Sequence, residues 1–121
     1  MLSSMSPTFV EGEQGVAILG TPGGSRIITM VLQGILAYSE RKDAKAIVSA
    51  PRFHHQYLPD KIFYEPDAIS EAQMELLHGM GHELEQLERP YGNMQLVIWN
   101  KQTNTVSAAS DPRGEGQAEV Q

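Results

Sequence analysis

The feature that most constrains this chain is a change of hydrophobic period between Gly15 and Leu36. Thr8-Phe9-Val10 and Val16-Ala17-Ile18-Leu19 are short apolar-rich runs on either side of Glu11-Gly12-Glu13-Gln14-Gly15, the pattern of an antiparallel hairpin with a glycine-containing turn. Gly20-Thr21-Pro22-Gly23-Gly24-Ser25 breaks that pattern, and Ile27, Ile28, Val31, Leu32, Ile35 and Leu36 then recur with helical spacing. A strand, a glycine loop and a helix are therefore predicted in succession. Adjacent glycines at such a junction can turn their N–H groups into one concavity near a helix N-terminus, where negative charge is favoured. On spacing alone two readings stay open: a loop whose amides hold an oxyanion, and a plain strand-to-helix turn in which glycine gives clearance. A phosphate-cradling loop is the weaker reading, because no lysine follows the second glycine and Arg26 is the only nearby cation.

The rest of the chain extends the same alternation of periods. A second short helix is predicted from Asp43 to Ser49, with Ala46, Ile47 and Ala50 as its apolar face, stopped ahead of Pro51 because the residue before proline avoids the α region. Arg52 to His55 and Lys61 to Glu65 read as extended. Ser70-Glu71-Ala72-Gln73 has the form of a capping box, opening a helix to about Met80 that Gly79 and Gly81 end. Strands are predicted at Glu83 to Leu87, Met94 to Trp99 and Thr105 to Ser110, with Asn100 to Asn104 as the last turn. The order β-β-α-α-β-β-α-β-β-β suits an α+β fold, mainly antiparallel sheet with helices on one face. Such a sheet has a second face, which stays exposed unless something docks there. Gly114 to Gln121 is polar and without periodicity, so residues 114–121 are expected to form a disordered or loosely attached tail.

Composition narrows the chemistry. A chain of 121 residues, 40% hydrophobic, is the size of one globular unit, and its short apolar runs exclude a membrane-spanning helix. A formal charge of −6 argues against a nucleic-acid partner, which needs clustered Lys and Arg. The absence of cysteine excludes a thiolate nucleophile and zinc-thiolate ligation. The opening Met1-Leu2-Ser3-Ser4 shows neither the basic nor the apolar region of a signal peptide. His54 and His55, adjacent on a strand, are expected to face opposite ways and so to be structural, and His78 and His82 are separated by glycines that make a continuous ligand-bearing helix doubtful. No metal and no cofactor is expected. Ser3 and Ser4 offer hydroxyls that could hold a carboxylate, or are simply a serine-rich start.

Four segments together resemble the γ-glutamyltransferase (γ-glutamyltranspeptidase) family: Leu2-Ser3-Ser4-Met5-Ser6-Pro7-Thr8, Gly20-Thr21-Pro22-Gly23-Gly24-Ser25-Arg26-Ile27-Ile28, Ala50-Pro51-Arg52-Phe53-His54-His55-Gln56-Tyr57-Leu58-Pro59-Asp60 and Ala109-Ser110-Asp111-Pro112-Arg113. They stand in the family's order, so residues 1–113 are similar to the C-terminal part of its small subunit. The resemblance implies an N-terminal-nucleophile hydrolase fold, a four-layer αββα sandwich matured by self-cleavage into two subunits, and an exported, periplasmic or extracellular, complete enzyme. It implies a threonine nucleophile at the head of the small subunit, with its own α-amino group as base, acting on γ-glutamyl compounds such as glutathione. It further implies that Gly23 and Gly24 supply oxyanion-hole amides and that Ser3 and Ser4 help bind the glutamyl α-carboxylate.

In the family's pattern the nucleophile precedes the double serine, and none of Thr8, Thr21, Thr29, Thr103 or Thr105 lies in a segment resembling it. The chain by itself is therefore expected to be inactive, its partners being the large subunit and the N-terminal part of the small one. Two other readings carry different expectations: a non-catalytic domain that pairs with itself as a homodimer, and a fragment of a related glutaryl or cephalosporin acylase. Retention of both serines favours a substrate with an α-carboxylate.

Overall fold

The computed structural model describes residues 7–120. In chain order its elements are β1 (Thr8–Gly12), β2 (Gly15–Gly20), α1 (Ile27–Ser39), α2 (Ala44–Ser49), β3 (Phe53–His55), β4 (Ile62–Tyr64), α3 (Glu71–Gly79), β5 (Leu84–Gln86), β6 (Gln95–Asn100) and β7 (Thr105–Ser110). This is the α+β order read from the sequence. The elements fall into two compact units, one running to Ser49 and resuming at Tyr91, the other being Ala50–Pro90.

In the first unit β1, β2, β6 and β7 form an antiparallel sheet in that order. The register sets Ala17 between Val10 and Ile98, and Leu19 between Thr8 and Leu96. Strand side chains alternate faces, so these residues share one side. There Ala17, Leu19 and Leu96 are buried in one cluster with Met30, Val31, Ala37 and Tyr38 of α1 and Ile47 and Val48 of α2. Each large aliphatic side chain so covered contributes about 1.5–3 kcal/mol. Burial also pushes the Tyr38 phenol above its ordinary pKa, because the phenolate would lose hydration, and Lys101 offsets part of that rise.

The apolar residues of α1 divide into two stripes, and α2 buries a different face from the expected one. In α1, Ile27 and Val31 face the sheet, whereas Ile28, Leu32 and Leu36 form an exposed stripe at i, i+4, i+8. In α2 the buried residues are Ala44, Ile47 and Val48, not Ala46, Ile47 and Ala50. Asp43 caps the helix, its carboxylate accepting the Ala46 N–H at 2.7 Å, and the residues buried against the sheet are those on the side of Ala44. At about 100° per residue, positions 44, 47 and 48 then share a side that 46 cannot reach, and Ala50 lies past the last turn.

The opposite face of the sheet is apolar and open. Phe9, Ile18 and Val97 lie in one cross-strand row, and Val16, Trp99 and Val106 in the next. Phe9 is 71% exposed and Trp99 and Val97 are each 41% exposed. A contiguous apolar surface of this kind marks a place where another body packs.

The second unit pairs β3 with β4 antiparallel and β4 with β5 parallel, with α3 as the crossover between the parallel strands. Ile62, Tyr64 and Ile69 form its small core. Helix α3 opens with the expected capping box, Ser70 Oγ accepting the Gln73 N–H and Gln73 Oε1 accepting the Ser70 N–H. It closes in a Schellman motif, His82 N–H to Leu77 O and Gly81 N–H to His78 O, both at 3.0 Å. Ser70→Ala is expected to destabilise this helix by about 1 kcal/mol, read as faster amide exchange confined to its first turns.

Candidate oxyanion site

Strand β2 delivers the chain to Gly20, and α1 begins at Ile27. Between them the backbone turns through Gly23 at φ 150°, ψ 13° and Gly24 at φ 60°. The first of these conformations is open to glycine alone, and the second favours it. Gly24–Arg26 then form a single 3₁₀ turn, closed by the Arg26 N–H on Gly23 O at 3.2 Å and the Ile27 N–H on Gly24 O. At the start of a helical segment the first N–H groups have no partner within it. Among the described residues none accepts from the Gly23 or Gly24 N–H. Two successive backbone donors thus have no acceptor among the described residues, at the positive end of a 13-residue helix.

Surrounding residues hold this turn. Thr21 is buried, its Oγ accepting the Asn93 N–H at 3.0 Å and donating to the Pro22 carbonyl at 2.9 Å. The Arg26 guanidinium lies over the Tyr91 ring, 4.6 Å from its centre. The chain at 91–94 is fixed in turn by Asp111, whose Oδ2 accepts the Met94 N–H at 3.0 Å while its Oδ1 takes Arg113 Nη1 at 2.9 Å. Arg113 also donates to the Val48 carbonyl, tying the end of α2 to the residues after β7.

Of the residues predicted from sequence, Gly23 and Gly24 lie together at this turn, and Ser3 and Ser4 lie outside the described residues. His54 is buried and bonded to Gln56, while His55 is exposed and paired with Asp60 at 2.7 Å. His78 is in the last turn of α3 and His82 follows the cap, so no continuous helix carries both. No group of three or more His, Asp or Glu among the described residues is placed to hold a metal ion. Thr21, Asn93, Asp111 and Arg113 were given no role by sequence reasoning. The one available signal was Asp111-Pro112-Arg113, two charges directly after a strand of small residues.

The gamma-glutamyltranspeptidase family model matches residues 1–121. The chain belongs to that family. It is 39% identical over 120 residues to the glutathione hydrolase proenzyme of Pseudomonas aeruginosa, covering 96% of this chain and 21% of that protein. Against the glutathione hydrolase proenzyme of Escherichia coli it is 38% identical over 115 residues, 93% of this chain and 19% of that one. The chain thus spans about a fifth of the length of these gamma-glutamyltranspeptidase relatives. The solved gamma-glutamyltranspeptidase of Pseudomonas nitroreducens, complexed with L-DON, has the same fold with a TM-score of 0.81 at 40% identity, over 99% of this chain and 63% of that one. The α+β fold is that of the C-terminal portion of an N-terminal-nucleophile hydrolase, as the sequence resemblance implied. No helix among the described residues is long and apolar enough to cross a membrane.

Proposed function

We propose that this chain is the oxyanion-bearing part of an enzyme that cleaves γ-glutamyl bonds, glutathione among its substrates, and transfers the glutamyl group to water or an amino acid. What carries the reading is the Gly23-Gly24 turn, whose two N–H groups have no acceptor among the described residues. In the proposed reaction a threonine hydroxyl, belonging to sequence ahead of the match to Ser3, bonds to the γ-carbonyl carbon. Its proton passes through the α-amino group to the leaving amine as the amide C–N bond breaks, and water or an amino acid then takes the glutamyl group by the same steps. At each addition the carbonyl oxygen gains negative charge. Gly23 and Gly24 donate to it, and fixed amide dipoles there lower the barrier without reorganising. Ser3 and Ser4 are proposed to hold the α-carboxylate at the other end of the glutamyl group. The open apolar sheet face, with Phe9 and Trp99 exposed, supports a complete enzyme in which further chain covers it.

A polypeptide of these 121 residues alone is expected to show no γ-glutamyl-anilide hydrolysis above background, because an oxyanion site without its nucleophile leaves only weak residual catalysis. The same residues within the complete enzyme are expected to turn over. Hydrolysis by the 121-residue polypeptide alone would contradict the division of labour.

A further inference from the structure

We propose that Thr21 is a positioning residue for the Gly23-Gly24 loop, its hydroxyl fixing the direction in which the Gly23 amide points. The inference rests on the reading of those glycines as oxyanion donors. Thr21 is fully buried two residues before Gly23, in a loop where most of its neighbours are partly or fully exposed. Its hydroxyl has a single proton and two acceptors in reach, the Pro22 carbonyl at 2.9 Å and Met30 Sδ at 3.9 Å; the carbonyl is the nearer and the stronger, so the geometry assigns the proton to it and leaves the oxygen to accept the Asn93 N–H at 3.0 Å. The Pro22 carbonyl and the Gly23 N–H belong to one planar trans peptide unit, in which they point in opposite directions. Binding that oxygen to a buried hydroxyl therefore aims the Gly23 N–H the other way, toward the exposed side of the turn. Pro22 adds stiffness, because its ring fixes φ and it has no N–H to form a competing bond. The anchor itself does not drift, since Asn93 adjoins Met94, whose N–H is held by the buried Asp111 carboxylate.

Thr21→Val closely matches the side chain in size but removes the hydroxyl, and with it the bond to the Pro22 carbonyl, the weak contact with Met30 Sδ and the acceptor for the Asn93 N–H, so the peptide plane can rotate. In the complete enzyme T21V is expected to lower kcat and kcat/KM for a γ-glutamyl-anilide equally, about tenfold, with KM within about twofold of wild type. Binding of a boronate that mimics the tetrahedral adduct is expected to weaken about tenfold, while binding of glutamate, which develops no new charge, stays unchanged. Thr21→Ser restores the hydroxyl and is expected to recover both values to within about twofold. A T21V enzyme with wild-type kcat and boronate affinity, whatever its melting temperature, overturns the inference and leaves Thr21 only a partner for a buried amide. Should T21V fail to fold, Thr21→Ala against T21S decides in the same terms, and failure of both hydroxyl-free variants to fold also overturns the inference. Gly24→Ala, run alongside, separates the two levels. Loss of turnover there with none in T21V defeats the role of Thr21 alone, and no loss in either defeats the oxyanion reading beneath it.

Discussion

Gly24→Ala in the complete enzyme is expected to lower turnover of a γ-glutamyl-anilide about 100-fold or more while leaving the fold nearly intact. A Cβ added at Gly24 meets no atom of the described residues within 4 Å, so the methyl enters open space. On the proposed reading, that is where the substrate carbonyl approaches. The φ of 60° lies in the left-handed region, which a non-glycine residue adopts at a cost of about 1–2 kcal/mol. The stability loss is therefore small and the catalytic loss large. Gly23→Ala is expected to lose turnover to a similar extent and also to destabilise by about 1–3 kcal/mol, because φ 150° suits only glycine and the new methyl collides with the Met30 methyl. Unchanged kcat in both variants would reduce the loop to a turn.

Asp111→Ala is expected to destabilise the first unit by about 3–5 kcal/mol, the cost of breaking a buried ion pair by deleting one member. The Asp111 side chain is fully buried and that of Arg113 is 11% exposed. The carboxylate accepts the Met94 N–H, the Arg113 N–H and Arg113 Nη1, and its loss removes one acceptor from each of those amides and this carboxylate from the guanidinium. Because domains are stable by only about 5–15 kcal/mol, the effect is expected to appear as a clear fall in the denaturant midpoint. Asp111→Asn keeps the shape and one acceptor and is expected to lose less, about 1–3 kcal/mol. A loss below about 1 kcal/mol for the alanine variant would show that the Asp111–Arg113 pair does not clasp this part of the fold.

Element type and order were legible because each rests on local periodicity and punctuation. The glycine loop, the Ser70 capping box and the Gly81 helix stop all fell where backbone chemistry requires them. The buried face of α2 was not legible, since Ala46 with Ile47 shares a side as plausibly as Ala44 with Ile47 and Val48, and only the sheet against which the helix packs decides between them. Nor could spacing distinguish the two apolar stripes of α1: Val31 and Leu32 look alike in sequence, and only the position of the sheet decides that the first is buried. At the site, the glycines announced themselves through composition. Thr21 did not, because its role depends on Asn93, 72 residues away in sequence. Likewise the places of Asp111 and Arg113 depend on Met94, whose N–H the first accepts, and on Val48, whose carbonyl the second binds, and no local pattern joins them.

The most direct measurement is a crystal structure of the complete enzyme carrying a tetrahedral boronate adduct of a γ-glutamyl donor. Both the Gly23 and Gly24 nitrogens are expected within about 2.7–3.1 Å of one adduct oxygen. An adduct oxygen held by water or by other donors, with either glycine amide turned away, would contradict the account.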